Sequence, residues 1–412
     1  MYSNLIAILF GLLWTAPAIA APATGDYPTQ PNPGDDPFKP YTISAKGIEA
    51  TLIPYGATLT SLLVNDRNGE QQDVAVGYDD PKQYQQDVQT VHSYFGCIVG
   101  RYANRIKNGT FELDGVKYDI TKNEIDDTQT LHGGVVGYDQ RPWSVENYTD
   151  TSVTFSLLDN AFEGFPGDVI TYATYSVSSD GTEDKDGQPT LTAKTESHAL
   201  SDKTPIMLAH HIYWNLNAFK AHDVLEDTTL HLPLSKRFIP IDSNSIPTGE
   251  IEDVASVFDG ALDFTEPKLV GKDIESAKNC GADCTGYDNA FIIDRAHDKR
   301  DETGDDMAVS LNMASSITGI SMQVATNQRA VQIYSCNGQD GTIPVKPSQV
   351  KRNEKDEGAT DVINKYGCIV IETEGWIDGI NNPQWEQDKY QIFSADTGPA
   401  VNLVTFTFGN DA

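Results

Sequence analysis

The stretch Thr204-Pro-Ile-Met-Leu-Ala-His-His-Ile-Tyr-Trp-Asn-Leu216 decides which fold the sequence predicts. Its apolar and aromatic residues favour a β-strand, and Pro205 stands at the start, where a strand tolerates proline. Two adjacent histidines, His210 and His211, lie at its centre. Because neighbouring side chains on a strand point to opposite faces, at most one of the two can face a given cavity. Taken alone, the pair is more simply explained as two histidines satisfied in a core or at its rim.

Outward from this stretch, most of the chain consists of short apolar or alternating runs separated by Gly, Pro, Asn and Asp. The segment 110–120, with Asp114-Gly115 in its middle, predicts a β-hairpin. Helical periodicity is scarce, and residues 81–86 and 251–258 predict only a turn or two of helix each. Many short strands with turns between them predict an all-β fold, either a large β-sandwich or a barrel. No internal repeat or linker divides this pattern, so we expect a single domain.

The charge balance of the chain limits its partners. Among 412 residues, 29 are basic and 60 are acidic, which gives a formal net charge of −31. Such a surface favours solubility and opposes self-association, so we expect a monomer. Nucleic acid and anionic membranes are attracted by basic patches, and we therefore expect neither as a partner. Phosphorylated substrates are disfavoured for the same reason.

The N-terminus has the pattern of a secretory signal peptide. The apolar run at residues 5–14 is too short to span a bilayer, and Ala18-Ile-Ala20 has the small-x-small form of a cleavage site. We expect residues 1–20 to be a signal peptide and residues 21–40, rich in Pro, Gly and Asp, to be a flexible leader. Residues 41–412 then form the folded domain of a secreted, extracellular protein.

Secretion makes disulfides and N-linked glycans possible. Cys280 and Cys284 flank Gly-Ala-Asp in a loop, and we expect them to pair with each other. Asn108-Gly-Thr and Asn147-Tyr-Thr are acceptor sequences for glycosylation. No cysteine belongs to a CxxC or Cys/His metal pattern. The remaining cysteines lie in apolar, strand-like runs and are expected to be buried thiols: Cys97, Cys336 and Cys368.

Several ionisable or amide side chains lie in or beside apolar strands, where a ligand could use them. They are Asn104, Arg105, His132, Asp288, Gln332 and Glu372. Most have a simple structural explanation, such as an ion pair, a turn cap or an exposed strand position. His132 precedes two glycines, which would let the backbone approach a ligand closely. Glu372 follows Cys-Ile-Val-Ile, so its carboxylate must be paired, solvated or functional.

Nine short segments carry a more specific signal through their order and spacing along the chain. They are Gly56-Ala-Thr-Leu59, Asp73-Val-Ala-Val-Gly-Tyr78, Gly100-Arg-Tyr-Ala-Asn-Arg-Ile106, Leu131-His-Gly-Gly134, Gly164-Phe-Pro-Gly167, His211 with Tyr213 and Asn215, Ile246-Pro-Thr-Gly-Glu250, Gly286-Tyr-Asp288 and Glu372-Thr373. Together they resemble the aldose 1-epimerase (galactose mutarotase) family over almost the whole mature chain. The resemblance implies one galactose-mutarotase-like β-sandwich domain, a supersandwich, with the sugar in an open cleft. It also implies no metal and no organic cofactor.

The resemblance implies roles for individual residues. His211 matches the general acid of the family, Glu372 its general base, and His132 a second histidine near the ring oxygen. Four further residues match positions that hold sugar hydroxyls: Asn104, Arg105, Asp288 and Gln332. The sequence departs from the family at His210, where Asn is usual, and at Glu374, where Gln is frequent. These departures bear on sugar preference more than on reaction type.

The expected reaction is the interconversion of α and β anomers of free hexoses, such as glucose or galactose, by ring opening and reclosure. The C1 hydroxyl loses a proton while the ring oxygen gains one, which requires a base and an acid. We expect His211 and Glu372 to face each other across a gap the width of a pyranose. The main alternative is a non-catalytic carbohydrate-binding module on the same scaffold. Glycoside cleavage by Asp288 and Glu372, and epimerisation of a hexose phosphate, are weaker alternatives.

Overall fold

The computed structural model describes residues 36–179, 187–295, 303–304 and 306–410. The predicted signal peptide, residues 1–20, and most of the predicted leader, residues 21–35, lie outside the described residues. In the part of the chain that is described, no helix combines the length and the apolar character needed to cross a bilayer.

Antiparallel strands dominate the structure, which confirms the predicted all-β fold. In the first half they are β1 (Tyr41–Ala45), β2 (Ile48–Ile53), β3 (Thr58–Asn65), β4 (Gln71–Asp73), β5 (Ile98–Val99), β6 (Arg105–Ile106), β7 (Thr110–Leu113), β8 (Val116–Asp119), β9 (Thr130–Leu131), β10 (Ser144–Tyr148), β11 (Ser152–Asn160), β12 (Asp168–Ser178) and β13 (Thr190–Ala199). In the second half they are β14 (Thr204–Pro205), β15 (Ala209–His210), β16 (Ile212–Trp214), β17 (Thr228–His231), β18 (Arg237–Ile239), β19 (Glu252–Asp253), β20 (Lys268–Leu269), β21 (Asp288–Ile292), β22 (Ala308–Ser315), β23 (Ser321–Thr326), β24 (Ala330–Tyr334), β25 (Ile369–Glu374), β26 (Ile392–Phe393) and β27 (Ala400–Gly409).

The helices are few and short. The α-helices are α1 (Lys82–Val88), α2 (Pro347–Arg352) and α3 (Asp388–Gln391). Single 3-10 turns lie at Lys107–Gly109, Tyr138–Gln140, Phe162–Gly164, Phe258–Gly260, Gly379–Asn381 and Pro383–Trp385. Helix α1 and the hairpin of β7 and β8 confirm two local predictions. The predicted helical turn at 251–258 is wrong, because Glu252 and Asp253 pair with strand β18 instead.

Two large sheets form the sandwich. One has nine strands in the order β10-β11-β12-β13-β27-β23-β22-β17-β20, and the other has six in the order β16-β25-β24-β21-β18-β19. The ring of Trp214 on β16 packs against Phe406 and Phe408 of β27, with centroids 4.8 and 6.1 Å away. Burial of one such aromatic side chain stabilises the fold by roughly 2–3 kcal/mol. The central stretch of the sequence therefore joins the two sheets.

That central stretch, 204–216, is not the single strand that its composition predicts. It forms three short strands, because it changes partner twice: β14 pairs with β26, β15 with β5, and β16 with β25. His211 lies at the second change of partner. There its backbone N–H donates to the carbonyl of Cys97 at 2.8 Å, and its own carbonyl accepts from Gly96 at 2.9 Å. Both backbone polar groups of His211 are thus held by the neighbouring segment 96–97.

The cysteines correct one prediction and confirm two. Cys280 and Cys284 form the predicted local disulfide, and Cys97 is a buried free thiol. Cys336 and Cys368 are not free thiols, because they form a second disulfide with their Cα atoms 5.5 Å apart. Tyr334 of β24 pairs with Val370 of β25, and the same antiparallel register places Cys336 opposite Cys368.

We predict that alkylation of the unfolded, non-reduced protein labels one cysteine, Cys97, and that reduction raises the number to five. Loss of the Cys336–Cys368 disulfide, which joins residues 32 apart, should lower the free energy of unfolding by roughly 3–4 kcal/mol on the loop-entropy model. Removing the Cys280–Cys284 disulfide, with a separation of 4, is the control and should cost about 2 kcal/mol. Mass spectrometry counts the labelled cysteines, and denaturant titration measures the free energy of unfolding. Three labelled cysteines before reduction would contradict the pairing.

Candidate active site

Strand register brings the two predicted proton-transfer residues together. Ile212 of β16 pairs with Ile371 of β25, so that His211 and Glu372, one step further, lie opposite each other. Nε2 of His211 is 3.5 Å from Oε1 of Glu372. The expected gap of pyranose width between them is therefore wrong: the two groups touch. On the other side of β25, Gln332 of β24 pairs with Glu372 and extends the row of polar side chains.

His210 points the other way, as the alternation of side chains predicts. It is buried, and its Nδ1 lies 3.2 Å from the hydroxyl of Tyr175 on β12, within the sandwich. Burial lowers the pKa of His210 to about 3, so the ring is neutral in the core. Of the two adjacent histidines, only His211 belongs to the candidate site.

Asn104 and His132 are held together by the pairing of β6 with β9. The backbone N–H of His132 donates to the carbonyl of Asn104 at 3.0 Å, and the backbone N–H of Asn104 donates to Nδ1 of His132 at 3.1 Å. Both residues have left-handed backbone conformations, with φ of 58° and 51°. Glycine adopts this region most readily, so the surroundings must hold the backbones of these two residues in place.

A group of stacked rings packs beside these histidines. The imidazoles of His132 and His211 meet edge to face, with centroids 5.1 Å apart. The ring of Tyr94 lies 4.9 Å from the first and 5.6 Å from the second. His92 stacks on Tyr94 at 3.9 Å and binds the carboxylate of Asp139 at 2.8 Å. The sequence did not indicate a role for Tyr94 or His92. The one signal it offered was that both residues carry rings and lie shortly before Cys97.

The remaining predicted residues form hydrogen-bonded pairs around the row. Gln332 donates through Nε2 to Oδ1 of Asp288 at 2.6 Å. Arg105 makes two bonds of 2.8 Å to the carboxylate of Glu124, a partner that the sequence did not reveal. The charge of Arg105 nevertheless lowers the pKa values of Asp288 and Glu372, against larger opposing effects of burial. The structure therefore gathers all seven predicted site residues in one region.

Burial decides the protonation of the central pair. Burial, followed by the carboxyl groups of Glu374 and Asp288, raises the pKa of Glu372 well above its ordinary value, and Arg105 only partly opposes this. Burial also lowers the pKa of His211 to about 3. Burial therefore favours the neutral form of the pair, with a proton on Glu372 and none on His211, over the ion pair of carboxylate and imidazolium.

Three buried oxygen atoms of this region have no hydrogen-bond partner within the protein. They are Oε1 of Gln332, Oε2 of Glu372 and Oε2 of Glu374. An unsatisfied buried polar group costs about 1–3 kcal/mol, which a ligand with hydroxyl groups would recover. Around this buried floor Tyr94, Arg105 and Asp288 are half-buried, so they form the accessible rim.

A metal ion fits this region poorly. His132, His211 and Glu372 offer ligand atoms within 4.8 Å of one another. However, Nδ1 of His132 accepts the backbone N–H of Asn104, so Nε2 of the neutral ring carries the hydrogen and offers no lone pair to a cation. His132 is instead a hydrogen-bond donor toward the site.

The fold and the site define a class: a β-sandwich protein with a buried histidine–carboxylate pair that is suited to proton transfer. The sequence profile of the aldose 1-epimerase family matches residues 39–390, and the chain belongs to that family. A relative described as a probable aldose 1-epimerase in Arthroderma benhamiae is 58% identical over 381 residues, covering 90% of this chain and 87% of the relative.

One further relative and one solved structure are similar to this chain as well. The galactose mutarotase of Sus scrofa is 30% identical over 88% of this chain and 91% of its own. The solved structure of a GalM/aldose epimerase homologue from C. elegans superposes with a TM-score of 0.71 at 25% identity, covering 91% of this chain and 99% of that one. The predicted galactose-mutarotase-like β-sandwich is thereby confirmed. The protein is an isomerase with aldose 1-epimerase activity.

The adjacent histidines provide a matched pair for mutagenesis. We predict that His211→Asn lowers kcat by about 10²–10⁴-fold, because a proton-transfer group is lost, while thermal stability changes little. His210→Asn should instead leave kcat within a few-fold and lower stability by about 1–3 kcal/mol, because a buried hydrogen bond to Tyr175 is lost. Polarimetry and thermal melting measure the two effects. Equal losses of kcat in both variants would contradict this assignment.

Proposed function

We propose that the protein equilibrates the anomers of free aldohexoses such as glucose and galactose, with His211 and Glu372 as the acid–base pair. The observation that carries the proposal is the 3.5 Å contact between Nε2 of His211 and Oε1 of Glu372. The pig relative described as a galactose mutarotase supports the choice of sugar.

The contact between the two groups suits the geometry of the substrate. The C1 hydroxyl oxygen and the ring oxygen are both bonded to C1, so they are close neighbours on the same edge of the sugar. Glu372 would take the proton of the C1 hydroxyl, and His211 would deliver one to the ring oxygen as the bond from C1 to that oxygen breaks. Rotation about C1–C2 of the open aldehyde and reversal of both transfers then give the other anomer.

The electrostatics of the pair assist the opening step. Before ring opening, the pair must be a carboxylate and an imidazolium; after it, Glu372 is protonated and His211 is neutral. Burial of both groups favours the neutral form over the ion pair. The protonation state preferred by the protein is thus the one that accompanies the open-chain sugar.

The other residues would bind and orient the sugar. His132 donates through Nε2–H to an oxygen near C1, stabilising negative charge as it shifts during proton transfer. Four side chains would hold the ring hydroxyls: Asn104, Arg105, Asp288 and Gln332. Arg105 is fixed in place by its two bonds to Glu124, so it is preorganised for this task.

The charge of the site favours a neutral sugar over a sugar phosphate. Glu372, Glu374 and Asp288 influence one another electrostatically, and Arg105 is the cation that acts on all three. A phosphate dianion would find one guanidinium here, which is already paired with Glu124, among carboxyl groups that offer it no positive charge. Asp288 accepts a hydrogen bond from Gln332, and we assign it the binding of a sugar hydroxyl instead of the role of a second catalytic carboxylate.

We further propose that the protein is a secreted, monomeric glycoprotein. Two disulfides are consistent with an oxidising compartment. Asn108 and Asn147, the two acceptor asparagines, are exposed. Mass spectrometry of protein from the culture medium tests this: loss of residues 1–20 and a mass decrease on deglycosylation are expected, and a full-length, unmodified intracellular chain would refute it.

We predict that polarimetry on freshly dissolved α-D-glucose and α-D-galactose records anomer exchange far faster than in buffer. The rate should stay high from neutral pH into the acid range and fall only near pH 3, where His211 gains a proton and the pair holds two. Above the raised pKa of Glu372 the pair loses its proton, and the rate should fall again. No acceleration at any pH would refute the function. An acid limb near the ordinary histidine pKa of about 6.5 would refute the protonation scheme.

A further inference from the structure

One buried carboxyl group has no part in the reaction described so far. Glu374 lies two residues after Glu372 on β25, and it therefore projects from the same face of the strand. It is fully buried, which is rare for glutamate without a partner. Its Oε1 accepts a hydrogen bond of 3.1 Å from Nδ2 of Asn104.

Asn104 connects Glu374 to His132 through hydrogen bonds. The residue has a left-handed backbone, which must be held in place by its surroundings. Its side-chain amide bridges two elements, because Nδ2 donates to Glu374 while Oδ1 accepts from the backbone N–H of Arg105 at 3.0 Å. Its backbone N–H is the group that donates to Nδ1 of His132.

We propose that Glu374 is a positioning residue for the reaction, which acts through Asn104 to fix the tautomer of His132. A neutral imidazole carries one N–H, and its partner at the other nitrogen decides where that hydrogen sits. With the Asn104 N–H at Nδ1, the hydrogen is on Nε2 and can be donated to the sugar. Without it, the ring can turn a lone pair toward the sugar oxygen, and the donor is replaced by an acceptor.

The chemistry of Glu374 suggests which substitution should preserve this role. Burial raises the pKa of Glu374 to about 8. The hydrogen bond from Asn104 and the charge of Arg105 lower this pKa, whereas Asp288 raises it further. The other acidic group beside Glu374 is Glu372, which lies on the same face of β25. At neutral pH the side chain is therefore a neutral acceptor, and a glutamine amide imitates it in size and hydrogen bonding. Alanine removes the acceptor.

The proposal rests on the proposed function for its effect on rate, but the tautomer can be observed without activity. In ¹⁵N-histidine-labelled protein, NMR shifts distinguish a protonated from an unprotonated ring nitrogen, and His132→Gln assigns the signals. Wild type and Glu374→Gln should have hydrogen on Nε2 of His132. Glu374→Ala should have a mixture of tautomers, with a fall in kcat of about 10²-fold, the size of loss seen for one misplaced donor, and a smaller change in KM.

A second variant keeps the proposal testable if Glu374→Ala does not fold. Asn104→Gly retains the backbone N–H and the left-handed conformation, because glycine favours it, but removes the amide that Glu374 holds. It should also give mixed tautomers of His132. An unchanged tautomer in the folded variants would overturn the proposal, whether or not the enzyme turns over sugar. Equal damage by Glu374→Gln and Glu374→Ala would overturn it too, because the acidic proton itself would then be required.

Discussion

The pairing of β16 with β25 is the constraint on which the site depends. Ile212 and Ile371 are cross-strand partners and are buried in the sandwich core, so the side chains one step along, His211 and Glu372, are turned to the opposite face. A slip of one residue in this register would move the whole apolar set out of the core. The energy of core packing, including Trp214 against β27, therefore also sets the distance between the imidazole and the carboxyl.

Burial has a second consequence, which is electrostatic. The burial of the sheet floor raises the pKa of Glu372 and lowers that of His211, so it favours the neutral form of the pair over the ion pair. Transferring a proton through the sugar from one group to the other changes no net charge in the site. The reaction then proceeds without strong solvation of either partner, which suits two groups that are both buried.

The sequence indicated the candidate side chains but not which of them lie in contact with one another. Glu372 was identified because a carboxylate after four apolar residues is costly to bury, and the alternation of strand side chains separated His211 from His210. The contact between His211 and Glu372 and the disulfide between Cys336 and Cys368 both follow from strand register. Register joins segments far apart in the chain, and local composition does not specify it. The same holds for Glu124 as the partner of Arg105, since any of many acidic residues could have filled that place.

The most direct test of the shared-proton pair is the rate of anomer exchange in the double variant His211→Asn/Glu372→Gln, beside each single variant. When two groups act as one unit, removing either group already abolishes the contribution of both. The double variant should therefore be about as slow as the slower single variant. Each single loss is expected to be about 10²–10⁴-fold. A double variant whose loss equals the product of the two single losses would mean that the groups act independently, and it would contradict the account.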